Sequence, residues 1–446
     1  MFAMKPSIKL WAILGLLAMA IVFVGRIGWK KWLSIKSDPL PPNATVAGNS
    51  SILGGHYYQV SIPPSPEDNY QSADYRIWIP QDVRTIRGLI VKQHGCGDAA
   101  AATGLDHAND FQWQSLARKH HFALLGTKLP TGNLPCENWA LINYGSGAAF
   151  VKALHALAQK SQHPELERVP WALWGHSGGA DWVTQMLQQY PERTIAVIAA
   201  RGGAFNLLGT NPTLVTTPVL FALGEKDKMI VKETQDLPKQ VFQRYRKLDA
   251  LWALAVEAQT GHETSDTRQL SIPYLDSILT LRLPEDGNDL RPIDRSQGWL
   301  GNIVTQQVTP ANQSGGNQVE VAWLPNQETA RKWQQYVTTG KILPTQKPMV
   351  PNQVKATRTE PTTVLLTWSY QPDLANGLPS FRIYRNNLSI ATFKEQGHNF
   401  GDAPEQPNIV LKFQDKQAPL DAIYSVGAFN DLGESISQKI EPIGNR

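Results

Sequence analysis

The sequence predicts an α/β domain built on a mostly parallel sheet with helices on both faces, followed by a small all-β sandwich. Three observations carry this. Short, wholly apolar runs alternate with stretches of helical period between Tyr57 and Glu263. One of these runs leads directly into Gly175-His-Ser-Gly-Gly179, a turn of small residues that opens a helical stretch. Beyond Pro351 the apolar residues change to a period of two. Strands buried on both faces read as continuous apolar runs, and helices between them supply the parallel crossovers. Alternation instead marks strands with one face in a core.

The chain has 446 residues, enough for two or three folded units at about 100 to 200 residues each. Hydrophobic residues make up 42% and charged residues 18%, a composition that excludes a chain disordered throughout. Its 42 basic and 38 acidic residues leave only +4. Without a dense Lys/Arg patch, that charge gives no footing for nucleic-acid binding.

From the N-terminus, residues 1–30 are expected to form a signal anchor that spans a membrane. Leu10 to Gly25 is uncharged and lies between Lys5 and Lys9 on one side and Arg26, Lys30 and Lys31 on the other. With Ile8, Ile27 to Trp29 and snorkelling basic side chains, the run reaches a span of about 20 residues. The rival reading is a cleaved signal peptide and a secreted protein, since Ala18-Met-Ala20 has the small-x-small form. Apolar residues continuing past Ala20 favour the anchor. Either way the folded part is expected outside the cytoplasm. Residues 31–54 read as a linker, with Asp38 to Ser51 rich in Pro, Asn, Gly and Ser.

The catalytic domain is expected over residues 55–349. Its strands are Tyr57 to Ile62, Tyr75 to Ile79, Gly88 to Gln93, Phe122 to Gly126, Trp171 to Trp174, Ala196 to Ala200, Val219 to Leu223 and Trp252 to Val256. Phe111 to Lys119, Gly147 to Gln159 and Ala180 to Tyr190 read as helices. Leu283 to Met349 has turns near Glu285 to Asn288 and Asn312 to Asn317, then a helix over Gln327 to Tyr336. It is taken as the end of the same domain. Over residues 350–446, Val364 to Trp368, Phe381 to Tyr384, Ile409 to Phe413 and Tyr424 to Phe429 read as strands of a sandwich.

The chemistry centres on Ser177. A G-x-S-x-G turn between strand and helix lifts a serine hydroxyl above the sheet, and glycines two residues either side let the strained turn pack closely. A serine is a weak nucleophile at neutral pH, so a histidine base and an acid that orients it must follow in the order Ser, Asp or Glu, His. Asp227 ends the turn Gly224-Glu-Lys-Asp227 after one strand, with Glu225 the less favoured acid, and His262 follows the next strand. The tetrahedral oxyanion needs two N–H donors. Gly178 is expected to supply one, and the loop His94-Gly-Cys-Gly97, through Cys96 N–H, the other. His94 itself is expected to be structural. Cys96 and Cys136 are the chain's two cysteines, compatible in an exported protein with one disulfide or with two buried thiols.

Gln93-His-Gly-Cys-Gly97, Cys136-Glu-Asn-Trp139, the Ser177 elbow, Pro218 to Asp227 and Gly261-His262 together resemble the polyhydroxybutyrate depolymerase and feruloyl esterase group of α/β-hydrolases. The resemblance spans about Gly88 to Glu263. It implies an α/β-hydrolase fold and a Cys96–Cys136 disulfide clamping the oxyanion loop. The elbow departs from many members, reading His-Ser-Gly where they have a Ser-Ala-Gly type. Thr367-Trp368, Phe381-Arg-Ile-Tyr384, Tyr424 to Ala428 and Asn430 to Glu434 resemble a fibronectin type III module, which often accompanies exported hydrolases as a spacer.

The expectation is therefore a membrane-tethered serine esterase that forms an acyl-enzyme on Ser177, His262 and Asp227, acts on an ester substrate and needs no cofactor. A serine peptidase or acyltransferase on the same triad, or a catalytically silent surface scaffold, are the alternatives. Most of the 14 tryptophans are expected in the core, Trp139 and Trp182 being those able to lie near the site. His120 and His121, without carboxylate or cysteine spacing around them, read as a solvated helix end rather than a metal site.

Overall fold

The computed structural model describes residues 53–444 except 69, 132–134, 136, 204–206, 208–210, 229–235, 285–288, 314–317 and 394–408. The expected anchor, nearly all of the linker, and Cys136 lie outside the described residues. Among the described residues no helix is long and apolar enough to cross a membrane.

Eight strands form one sheet in the order β1-β2-β4-β3-β5-β6-β7-β8. They are β1 (Gly55–Ile62), β2 (Ala73–Pro80), β3 (Gly88–Gln93), β4 (Phe122–Lys128), β5 (Trp171–His176), β6 (Thr194–Ala200), β7 (Val219–Gly224) and β8 (Trp252–Glu257). Only β2 runs against its neighbours; every other pairing is parallel. Every residue of β3, β5 and β6 is buried. Successive strand side chains point to opposite faces, so complete burial means that both faces are covered. The helices that cover them include α1 (Phe111–Lys119), α2 (Ser146–Ser161), α3 (Gly178–Gln189), α4 (Leu237–Arg246) and α5 (Thr267–Arg282). Asp110 caps α1 by accepting from the Gln112 and Trp113 N–H groups, each at 3.1 Å, which satisfies donors that have no partner within the helix.

Residues 283–349 add an antiparallel sheet, β10-β9-β11, from β9 (Trp299–Asn302), β10 (Val308–Pro310) and β11 (Val321–Leu324), and then α6 (Gln327–Thr339). Asn326 caps α6 through Thr329 N–H at 2.9 Å. The helix lies on the outermost strand β8: Trp333 Nε1 donates to Leu254 O at 2.8 Å and Ala258 N to Tyr336 O at 3.2 Å. Leu300, Trp323, Trp333 and Tyr336 join the same buried core as the large sheet.

The C-terminal strands are β12 (Asn352–Glu360), β13 (Thr363–Ser369), β14 (Ser380–Arg385), β15 (Leu388–Phe393), β16 (Lys412–Asp415), β17 (Tyr424–Asn430) and β18 (Gly433–Ile436). They form antiparallel sheets β12-β13-β16 and β15-β14-β17-β18. Alternate residues Val364, Leu366 and Trp368, Phe381 and Ile383, and Tyr424, Val426 and Ala428 fill the core of these sheets. The strand expected over Ile409 to Phe413 lies instead at Lys412–Asp415. Ile409 is buried in the core while the chain is still approaching the sheet, and regular pairing with β13 begins only at Lys412. Phe111 of α1 is fully buried in this second core.

Candidate active site

The strand order brings the carboxyl ends of β3, β5, β7 and β8 to one edge, where open α/β sheets bind ligands. Ser177 joins β5 to α3 with φ 56° and ψ −122°, a conformation that a non-glycine residue adopts only under constraint. Its N–H donates to Ala200 O of β6 at 2.8 Å. The flanking glycines are needed because backbone approaches so closely: a β-carbon at Gly175 would lie 2.1 Å from Gly179 O, and one at Gly179 would lie 2.5 Å from the Gln93 and His94 carbonyl oxygens.

Asp227 and His262, both buried, stand after β7 and β8, with His262 Nδ1 and Asp227 Oδ2 at 2.7 Å. Backbone bonds lace the two loops together: Lys226 N to Thr260 O at 2.7 Å and Glu225 N to Glu257 O at 3.0 Å. A β-carbon at Gly224 would fall 2.0 Å from Gly261 O, so only glycine fits there. Glu225, the less favoured acid, faces away and accepts from Gln259 N–H at 2.7 Å. A proton on Nδ1, donated to Asp227, leaves Nε2 of His262 as the basic nitrogen.

The elbow holds the histidine loop directly. His176, fully buried, places Nε2 2.8 Å from His262 O, and the two rings lie 5.1 Å apart. Burial, chiefly, and the nearby His262 push the His176 pKa down to about 3, so its ring is neutral and donates to that carbonyl. The sequence marks His176 only as part of the elbow's departure from the Ser-Ala-Gly type and discloses no partner for it, since His262 lies 86 positions away.

The loop after β3 lies against Ser177: a β-carbon at Gly95 would be 3.3 Å from Ser177 Cβ. His94 is structural, as expected. Its Nδ1 is 2.6 Å from Gly95 O, its Nε2 accepts from Leu129 N–H at 2.8 Å, and Trp139 packs on its ring at 4.9 Å. Burial lowers its pKa to about 4, which keeps it neutral and able to donate at one nitrogen while accepting at the other. Gly178 is the first residue of α3, a position whose N–H has no partner within the helix. Cys96 carries no free thiol, while Cys136 lies outside the described residues.

Trp139 and Trp182 are both 1% exposed; they are core residues, with Trp182 edge-on to Phe150. His120 differs from its reading as a solvated helix end. It bonds Asp276 Oδ1 at 2.7 Å with its side chain 9% exposed, and only His121 is exposed. Among the described residues no group of three or more His, Cys, Asp or Glu side chains is placed to hold a metal.

A mostly parallel eight-stranded sheet, with a serine elbow after a central strand and an acid and a histidine after two later ones, defines an α/β-hydrolase-like fold. No protein-family model and no curated protein sequence matches the chain. Solved structures similar to it include a cold-adapted esterase from an Arctic intertidal metagenomic library, at 16% identity over 53% of this chain and 99% of that one, TM-score 0.37. An S-formylglutathione hydrolase from Agrobacterium tumefaciens is 12% identical over 53% of this chain and 99% of its own, TM-score 0.39. A poly(3-hydroxybutyrate) depolymerase from Bordetella parapertussis is 12% identical over 51% and 87%, TM-score 0.35.

Proposed function

We propose that the protein is a serine hydrolase of carboxylic esters, with Ser177, His262 and Asp227 as its triad. The observation that carries this reading is the buried Asp227–His262 hydrogen bond abutting a strained serine elbow. A scaffold has no use for backbone strain at a serine, and strain of about 1 to 3 kcal/mol persists only where the surroundings enforce it.

In this reading Ser177 Oγ attacks the ester carbonyl as His262 Nε2 takes its proton. Asp227 holds the imidazole and stabilises its charged form. The oxyanion accepts from the Cys96 and Gly178 N–H groups. The alcohol leaves with the proton from His262, and water activated by the same histidine releases the acid. The Cys96–Cys136 disulfide is proposed to brace the oxyanion loop. We also propose that residues 1–30 tether the catalytic part outside the cytoplasm, and that the C-terminal sheets form a fibronectin type III-like module.

The test is hydrolysis of short-chain aryl esters by the full chain beside Ser177→Ala, with fluorophosphonate labelling in parallel. Turnover and labelling by the wild type, both lost in the variant, are the expected result. A folded wild type that does neither sinks the esterase reading in favour of the scaffold.

A further inference from the structure

Arg201 has no part in the proposed triad, yet it lies next to it and is entirely buried. It follows β6 at φ 55°, beside the Ser177 elbow, since a β-carbon on the adjacent Gly202 would lie 2.8 Å from Ser177 O. A guanidinium is costly to bury and persists only where its donors find acceptors. Those of Arg201 reach β7, β8, α6 and the loop that carries His262. Nε donates to Glu263 O at 2.8 Å, one residue past His262. Nη1 donates to Ala222 O of β7 at 3.0 Å and to the Tyr336 hydroxyl of α6 at 3.1 Å. Nη2 pairs with the Glu257 carboxylate at the end of β8.

These acceptors close around the histidine loop. The second oxygen of Glu257 accepts from Asp266 N–H at 3.0 Å, and the Tyr336 hydroxyl also bonds Thr267 Oγ1 at 3.0 Å. Residues 257 to 267, with His262 at their midpoint, are therefore held at both ends and in the middle by one cation and its two partners. Resting on the serine-esterase reading, we propose that Arg201, with Glu257 and Tyr336, is a positioning residue that sets His262 against Ser177. On this view α6 belongs to the frame of the active site, which gives the segment 283–349 a role that its sequence did not disclose.

A purely structural ion pair would stabilise the fold without favouring the transition state. The test compares Arg201→Met, Arg201→Lys and Tyr336→Phe in the full chain, reading kcat, KM, the rate of fluorophosphonate labelling at Ser177, and the thermal midpoint. Tyr336→Phe keeps the buried ring and removes only the hydroxyl. It is expected to fold, hold KM within about twofold, and lose about tenfold in both kcat and labelling rate. Arg201→Met is expected to lose about 100-fold, the effect of a displacement near 1 Å at a catalytic group. Arg201→Lys, with the charge but not the planar fork, falls between them. Folded variants that keep wild-type kcat and labelling overturn the proposal while leaving the esterase reading intact. If Arg201→Met does not fold, Tyr336→Phe decides. A wild type that neither labels nor turns over removes the esterase reading and this proposal together.

Discussion

Replacing Asp227 by Asn keeps the size of the side chain and a hydrogen-bonding atom at each position, while it removes the charge and turns one acceptor into a donor. In the native site the His262 and Asp227 side chains are 8% and 3% exposed and their bonded atoms lie 2.7 Å apart. On the proposed triad the imidazole becomes positive when it takes the serine proton, so the carboxylate would act chiefly in the transition state. With charge centres about 4 Å apart and an effective dielectric of about 20, that attraction is about 4 kcal/mol. A loss of this size lowers kcat about a thousandfold. The Asn amide also donates to Nδ1 and so holds the proton on Nε2, the tautomer that cannot act as base, which extends the expected loss towards about 10⁴. KM for an aryl ester should stay within about threefold, because ground-state binding does not use the carboxylate. Steady-state kinetics and fluorophosphonate labelling at pH 8 measure both. Glu225→Gln is the control: that carboxylate is exposed and bonds only locally to Gln259, and kcat should be unchanged. A kcat for Asp227→Asn within tenfold of wild type refutes the reasoning, and a loss confined to Glu225→Gln transfers the acid role to that residue.

Two further predictions concern stability. Phe111→Ala empties a fully buried site in the C-terminal core and should cost about 3 to 5 kcal/mol. Urea denaturation measures it, and limited proteolysis should show the C-terminal sheets loosened first; an unchanged midpoint contradicts the packing. His94, its pKa lowered by burial from 6.5 to about 4, should make the fold acid-sensitive. Below pH 6.5 the unfolded chain binds the proton that the folded chain refuses, so the contribution is complete above pH 6.5 and declines as pH falls towards 4. The difference of about 2.5 units corresponds to about 3 kcal/mol. Denaturation at pH 7 and pH 4.5 should show this slope together with a like contribution from buried His176, and His94→Asn should reduce it by the His94 share while leaving the rest; an equal slope in the variant contradicts the assignment.

The inner strands of the main sheet were legible because burial on both faces leaves them almost wholly apolar, as Leu89-Ile-Val91 and Ile195 to Ala200 show, whereas β1 and β2 were legible from the alternation of strands with one side less covered. The strands of β9 to β11 have only three or four residues each, too few for any period to show. Strand β12, mostly polar and exposed over Asn352–Glu360, carries only Val354 and Ala356 as an apolar signal. In the candidate site, the places of Ser177, Asp227 and His262 at strand ends were legible because chain order constrains them. Arg201, Glu257 and Tyr336 were not, since Arg201 and Tyr336 meet across 135 positions. The trace of that network was a charged residue, Arg201, directly after the apolar strand β6. His120 escaped for the same reason, its partner Asp276 lying 156 positions away.

The C-terminal sheets are packed into the part of the chain that carries the main sheet, and the path from them to the loop after β3 is short. Phe111 fills their core, and beside it Asp110 caps α1 while pairing with buried Arg268 and standing 4.0 Å from Lys92 Nζ. Lys92, wholly buried on β3, lies 4.7 Å from the ring centres of both Trp113 and Trp174. Trp174 leads into the elbow, and two residues after Lys92 comes His94, which holds the Gly95 carbonyl. Lys332 of α6 and Gln112 of α1 bond the Ala375 and Asp373 carbonyls of the C-terminal part. A hinged spacer needs an interface of few contacts, whereas here one aromatic ring of the catalytic part completes the neighbouring core. Cutting the chain near residue 350 would therefore expose Phe111 beside the cap that carries the Arg268 and Lys92 charges, so on loss of the C-terminal sheets amide hydrogen exchange should rise at β3 and the loop that follows it before it rises at β7 or β8.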